Sequence, residues 1–197
     1  MKILSFEDVY KKEKNYFGME PHKLTINIIK YKKTGNVLDL GCGEGRDAIF
    51  LAKKGFKVTA IDFSTTGIKN LLEKAKREKV KIITKIEDIK KFSFNKKYDA
   101  IISFSVLQFL KRNEVFNIIK KMKKNTKIRG LNIITAFNEK NPNKNFPFLF
   151  REGELKDMYK NWETIQYNER VTPIEKHGKF GKPHRHSISS IIARKIK

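Results

Sequence analysis

Apolar residues along this chain fall into short continuous runs, separated by segments in which they recur every three or four positions. The runs at 36–40 (NVLDL), 56–62, 80–84, 98–103 (YDAIIS) and 131–137 predict buried strands. Helical spacing predicts the segments between them. Residues 46–54 form one such helix, with Gly55 as its stop signal. Ser64 is placed to cap a second, on which Ile68, Leu71, Leu72 and Ala75 follow the i, i+3, i+4, i+7 rule. Asn113 is placed to cap a third, with Val115, Ile118, Ile119 and Met122 on one face. An earlier helix is predicted in PHKLTINIIKYKK, where Leu24, Ile28 and Ile29 share a face. Apolar strands alternating with amphipathic helices predict an α/β fold whose parallel sheet is covered on both faces. The last third changes character. FPFLFREGELKDMY reads as a loop and a short helix, and NWETIQYNERV and SISSIIARK as two final strands, an antiparallel hairpin-like pair at the sheet edge. The intervening TPIEKHGKFGKPHRH, rich in Gly, Pro, Lys and His, reads as a loop.

At 197 residues, with no internal repeat or low-complexity linker, the expectation is one domain spanning 1–197. Lys and Arg number 44 against 21 Asp and Glu, a net charge of +23 that would attract nucleic acid, anionic membrane or small anions. The lysines are scattered through nearly every segment, which favours a solvated basic surface over a dedicated nucleic-acid site. Cys42 is the only cysteine, which excludes an internal disulfide or a CxxC metal site and fits a reducing compartment. MKILSFEDVYKKEKNY holds no apolar stretch suited to a signal peptide, and no run approaches the ~18 apolar residues of a membrane span. A cytoplasmic protein with no membrane partner is expected.

The candidate chemistry lies in VLDLGCGEGRDAIFLAKKGFKVTAID, residues 37–62. In an open parallel sheet, ligands bind beyond the carboxyl ends of the strands. Gly41 permits the tight turn after the first strand, while Gly43 and Gly45 would bare the backbone and aim N–H groups at a ligand. Asp62 ends the next strand, about 20 residues on, where a carboxylate can accept two ribose hydroxyls. The loop reads G-C-G-E-G, not the G-x-G-x-x-G of dinucleotide enzymes, and Asp39 precedes it inside the strand.

DLGCGEG resembles motif I of class I S-adenosylmethionine (SAM)-dependent methyltransferases. That resemblance implies a Rossmann-like seven-stranded sheet, mostly parallel with an antiparallel C-terminal strand, and helices on both faces. It implies SAM as cofactor, with Asp39, Gly41, Gly43, Gly45, Arg46, Asp62 and Phe63 around it, and Glu87 or Asp88 near the adenine amino group. Ser103, Phe104 and Val106, after the fourth strand, would face both cofactor and acceptor. A closer resemblance spans nearly the whole chain. FPFLFREGEL, the Trp-containing strand ending YNE, the His-containing loop leading into IIARK, and the N-terminal YFGMEPHK are similar to the TehB-like tellurite-resistance methyltransferases. Residues 1–34 would then be a SAM-covering segment that includes Tyr16, and 138–186 would carry the substrate-side insertions. Lys127-Ile128-Arg129-Gly130 departs from that family's Lys-Pro-Gly-Gly turn. The family implies methylation of tellurium or selenium oxyanions, or of another small soft nucleophile.

An anionic acceptor with a free lone pair needs no general base, only cationic groups that hold it. His177, His184, Arg185 and His186 supply them, and three of the four histidines fall within ten positions. The family draws its substrate-binding His and Arg from this region, so His177, His184 and Arg185 are the expected catalytic residues, with no metal. Phe146, Phe148 and Phe150 alternate and suit either a core segment or an apolar lid. S-F-S-V at 103–106 lacks the proline pair of amino-group methyltransferases, which argues against N6-adenine or glutamine amide as acceptor. The alternatives are an RNA methyltransferase, favoured only by the charge, and a non-catalytic SAM-binding protein. A small-molecule acceptor, no specific nucleic acid, and a monomer or homodimer are expected.

Overall fold

The computed structural model describes residues 5–179 and 181–197, so Phe180 of the His-containing loop and the first four residues lie outside it. Its seven strands make one mixed sheet, ordered 82–86, 57–62, 36–40, 98–104, 126–137, 187–194 and 163–171 from edge to edge. The chain divides into two compact units, 1–92 with 176–182, and 93–175 with 183–197.

The first unit opens with helices α1 (Phe6–Lys12) and α2 (Lys23–Tyr31). The sequence reading missed α1, whose roughly two turns bury only Val9 and Tyr10. Strand β1 (Asn36–Leu40) follows, then α3 (Arg46–Lys53), β2 (Lys57–Asp62), α4 (Thr65–Arg77) and β3 (Ile82–Ile86). β1 and β2 pair in parallel from Asn36↔Lys57 to Leu40↔Ile61, which sets the ends of β1 and β2 side by side. Val37 to Leu40 are all buried, as a strand covered on both faces must be. The Ser64 hydroxyl caps α4, accepting from the Gly67 N–H at 2.9 Å. Ile68, Leu71 and Ala75 are buried, but Leu72 is exposed, so the apolar stripe of α4 is narrower than its pattern suggests. β3 starts two residues later than expected and leaves Ile83 and Ile86 exposed.

The second unit contains β4 (Tyr98–Phe104), a one-turn 3₁₀ helix (Leu107–Phe109), α5 (Arg112–Lys124), β5 (Thr126–Phe137), α6 (Glu154–Asp157), β6 (Glu163–Val171) and β7 (Ser187–Arg194). Val115, Ile118, Ile119 and Met122 are the buried face of α5. Its N-cap is Lys111, not Asn113; the Lys111 N–H donates to the Glu114 carboxylate at 2.8 Å. The departure at 127–130 is a bulge inside β5. Tyr98 pairs with Thr126 and Ala100 already with Leu131, and Arg129 takes a left-handed φ of 61°. β7 runs antiparallel to both β5 and β6 and is buried from Ser187 to Ala193, so β6 alone forms that edge. Phe148 and Phe150 are core residues with rings 4.7 Å apart; the half-buried Phe146 packs edge-on against Phe137 and Phe109. Among the described residues, no helix is long and apolar enough to cross a membrane.

Candidate active site

The turn after β1 is built on its neighbour. The Gly41 and Cys42 N–H groups donate to the Ile61 carbonyl at 2.8 and 3.0 Å, which ties the start of the loop to β2. Gly41, Gly43 and Gly45 take φ values of 74°, 53° and 78°, a region L side chains avoid. The space beside two of them is filled by the protein itself. A Cβ on Gly43 would lie 2.6 Å from the Tyr10 hydroxyl, and one on Gly45 2.3 Å from Leu71. The demand for glycine therefore comes from backbone conformation and from α1 and α4 packing on the loop.

Asp62 organises the loop. Its two carboxylate oxygens accept the N–H groups of Gly43 at 2.8 Å and Ser64 at 2.9 Å. The carboxylate keeps acceptor capacity for a further donor. Phe63 and Ile86, on either side of this carboxylate along the chain and across the β2–β3 pairing, are both more than half exposed. Glu87 donates its N–H to the Asp62 carbonyl, while Asp88 is engaged in a local turn through the Lys90 N–H at 2.9 Å.

The electrostatics of this region oppose those of the whole chain. Asp39, Glu44, Asp47 and Asp62 are all buried, against Arg46 and Lys74. Asp39 Oδ2 is buried without a hydrogen-bond partner among the described residues. Burial holds the Asp39 carboxyl well above its usual pKa, reinforced by the charges of Asp47 and Asp62. Burial also raises Asp62, against the opposing pull of the Ser64 and Gly43 N–H groups. The Cys42 thiol is pushed up by burial and by the same acids, which makes it a poor nucleophile. An orphaned buried carboxylate oxygen, a preset carboxylate and exposed apolar side chains fit a ligand with a cationic tail, a ribose diol and a flat base. A pyrophosphate would instead meet the buried carboxyl groups of Asp39 and Asp62.

The remaining expected residues divide between the two units. In the first, Tyr16 is held by its backbone: its N–H donates to Glu44 Oε2 at 2.9 Å. Arg46 turns toward the N-terminal segment and donates to the Phe17 carbonyl at 2.8 Å. His177 belongs to the same unit, its ring 5.0 Å from Phe17 in an edge contact. In the second unit, the Ser103 hydroxyl is buried without a hydrogen-bond partner among the described residues. Phe104 and Val106 are half-buried, and Ser105 between them is forced to a φ of 54°. His184 bridges back to Glu175, and its ring meets His186 at 4.8 Å. His186 stacks on Phe137 at 4.1 Å, with Nδ1 3.3 Å from Asn141 Oδ1. Arg185, between the two histidines, is exposed, so the structure pairs His184 with His186 and not with Arg185. Glu44 and Tyr10 were not read from the sequence. Glu44 occupies the unconstrained position of the glycine motif, and Tyr10 lies on a helix the pattern did not reveal.

A seven-stranded mixed sheet with a glycine turn after β1 and an acid at the end of β2 is the fold of the class I methyltransferases. NodS, an N-methyltransferase from Bradyrhizobium japonicum solved with S-adenosyl-L-homocysteine, shares it at a TM-score of 0.75 and 15% identity, over 98% of this chain and 99% of its own. The family described as tellurite resistance protein TehB matches residues 3–188, and the chain belongs to that family. It is 34% identical over 195 residues to the probable SAM-dependent methyltransferase TehB of Haemophilus influenzae, covering 96% of this chain. The crystal structure of Haemophilus influenzae TehB superposes at a TM-score of 0.82 with 34% identity, over 97% of this chain. This chain spans about two thirds of that relative's length, 66% of its sequence and 67% of the solved chain.

Proposed function

We propose that this protein is a SAM-dependent methyltransferase whose acceptor is a small, soft, anionic nucleophile of the tellurite or selenite type. The observation that carries the cofactor assignment is the buried acidic set around the glycine loop, with Asp39 Oδ2 left without a partner. When bound, SAM supplies an activated methyl group on a sulfonium centre. Asp62, already aimed by Gly43 and Ser64, would take the ribose hydroxyls, with Phe63 and Ile86 against the base. Asp39 would face the cationic end, and Glu87 the adenine amino group. An acceptor with a free lone pair would take the methyl group without losing a proton, so none of the chain's residues need act as a general base. The chain's contribution is then to hold an anion in line and exclude water. We assign that task to His177, His184 and Arg185, on the family resemblance and the imidazole-rich loops that carry them. The TehB name supports a tellurium oxyanion as acceptor. The scattered lysines offer no built nucleic-acid site.

The test is incubation with methyl-labelled SAM and a panel of tellurite, selenite, small thiols, thiopurines and total tRNA. Label in a small oxyanion or chalcogen compound, insensitive to ribonuclease, is expected. Label confined to tRNA would overturn the acceptor class, and no label with SAM tightly bound would leave a non-catalytic SAM-binding protein.

A further inference from the structure

Glu44 is the residue between Gly43 and Gly45, and its buried carboxylate faces outward from the cofactor loop into the N-terminal segment. Oε1 accepts the Asn15 N–H at 2.8 Å and the Asn70 Nδ2 at 3.0 Å; Oε2 accepts the Tyr16 N–H at 2.9 Å. Lys74 stands 3.8 Å from Oε1 and donates to the Glu44 carbonyl at 3.2 Å. Asn15 takes a left-handed φ of 58°, so two successive N–H groups converge on one carboxylate, the geometry of a backbone anion nest. The same short segment holds the His177 loop on its other side. The Tyr16 carbonyl accepts the Gly178 N–H at 3.1 Å, and Glu13 Oε1 accepts the Lys179 N–H at 2.6 Å. Phe17 meets the His177 ring edge-on. Gly178 has a φ of 68°, and a Cβ there would come within 2.6 Å of both Glu13 and the Tyr16 ring, so the joint is closely fitted.

A run of contacts thus leads from Gly43, bonded to Asp62, through Glu44 and residues 13–17 to His177, all within one compact unit. An apolar side chain at position 44 could anchor a strap through packing. A buried carboxylate costs desolvation and, in return, fixes two backbone N–H groups in direction. We propose that Glu44 is a positioning residue, setting the place of His177 according to the state of the cofactor loop. The proposal rests on the reading of His177 as an acceptor-holding group.

The experiment combines peptide-resolved hydrogen exchange with kinetics on the full chain. In the parent, S-adenosylhomocysteine should slow exchange in residues 13–18 and 176–179 together. Glu44→Gln leaves one strong acceptor where there were two. It should speed exchange roughly tenfold or more in 13–18, the loss of one charge-assisted hydrogen bond, and the change should appear in 176–179 as well. Methyl-transfer kcat should fall about tenfold, since misplacing a holding group weakens the transition state. SAM affinity should change less than about threefold. Gly178→Ala, which breaks the joint from the far side without touching the buried pair, should lower kcat alike and speed exchange in 176–179 while leaving SAM binding intact. Glu7→Gln, which loosens α1 only where it meets α4, should leave 176–179 and kcat as they were. Unchanged exchange at 176–179 in Glu44→Gln would overturn the positioning role, even if His177→Ala is slow. Full activity in His177→Ala, with the exchange coupling present, would overturn the acceptor reading and with it this proposal. Loss of kcat that tracks loss of SAM affinity in both variants would mark Glu44 and Gly178 as parts of cofactor binding, and would also overturn it.

Discussion

Replacing Asp62 by Ala should produce two losses that can be measured separately. Its carboxylate accepts two backbone N–H groups, from Gly43 and Ser64, both buried. An N–H left unpaired in such a place costs about 1–3 kcal/mol, with water recovering part of it. A net loss of about 2–4 kcal/mol of stability follows, which for a domain of this size lowers Tm by roughly 5–15 °C. The second loss is in cofactor affinity. Charge-assisted hydrogen bonds from the ribose contribute about 1.5–3 kcal/mol, a fall in SAM affinity of roughly 10- to 150-fold. Calorimetric titration at a temperature well below the variant's Tm keeps the two apart. A lowered Tm with unchanged SAM affinity would reduce Asp62 to a loop clamp; unchanged Tm and affinity would refute the reasoning altogether.

The pH dependence supplies a further check on the same residue. Burial raises the folded-state pKa of Asp62, so as pH falls through that raised value the carboxylate is lost and SAM binding should weaken. Asp62→Ala should show a flatter profile, with the part due to Asp39 remaining. For stability the sign is the reverse of that for a salt-bridged acid. The protonated form is the one folding favours, so this group's contribution is full below pH 3.8 and is lost as pH rises through the folded pKa.

Other expectations follow from the same geometry. Gly45→Ala puts a Cβ 2.3 Å from Leu71 at a φ of 78°; urea unfolding should show a loss of about 2–4 kcal/mol, smaller than additive when combined with Leu71→Ala. The Glu7 carboxyl is held down at about 2, chiefly by the Ser64 hydroxyl and then by Thr66, so its contribution is present above pH 4.5 and lost as pH falls toward 2. Parallel thermal melts should therefore bring the parent and Glu7→Gln together at acid pH and apart at neutral pH. Arg185→Ala and His184→Ala should lower the methyl-transfer rate without changing SAM affinity; the arginine effect should persist at every pH, and full activity in both would remove them from the acceptor site. RNA binding, measured by fluorescence anisotropy, should be weak and should collapse between about 50 and 200 mM salt.

What the sequence disclosed, and what it did not, follows from the range of the interactions. The limits of β1 and the start of α3 were legible because a fully buried strand is a continuous apolar run, broken here by the glycines. The Ser64 cap was legible because its partner lies three residues away. Leu72 fits a helical stripe as well as Leu71 does, and only the packed partner decides which is covered. The insertion of β7 between β5 and β6 is a pairing between distant segments, with no local signature. Glu44 was illegible for the same reason. Its partners are the backbone N–H groups of Asn15 and Tyr16, and a backbone donor has no side-chain identity to read. Asp39 and Asp62 stood out only because strand ends restrict where an acid can serve a ligand.

The sign of the charge differs with depth in this protein, and that difference bears on how one site could take both a cation and an anion. The chain carries +23, a field that repels a cationic cofactor at long range. At physiological ionic strength such a field is screened over about 8 Å. Buried carboxylates act at contact distance, in a medium where each interaction is several-fold stronger. On the proposed reading, Asp39 and Asp62 would therefore govern whether the cationic donor is held, while the surface lysines would govern how often an anion arrives. On the proposed reaction, transfer removes the sulfonium charge, so the acids that matched the donor hold the neutral thioether product less strongly. Asp62 would keep its proposed ribose contacts in both states, and the difference in grip would fall to the acid with an unpaired oxygen, Asp39. An unsatisfied buried carboxylate, a liability for stability, is thus suited to a site that must prefer its substrate to its product.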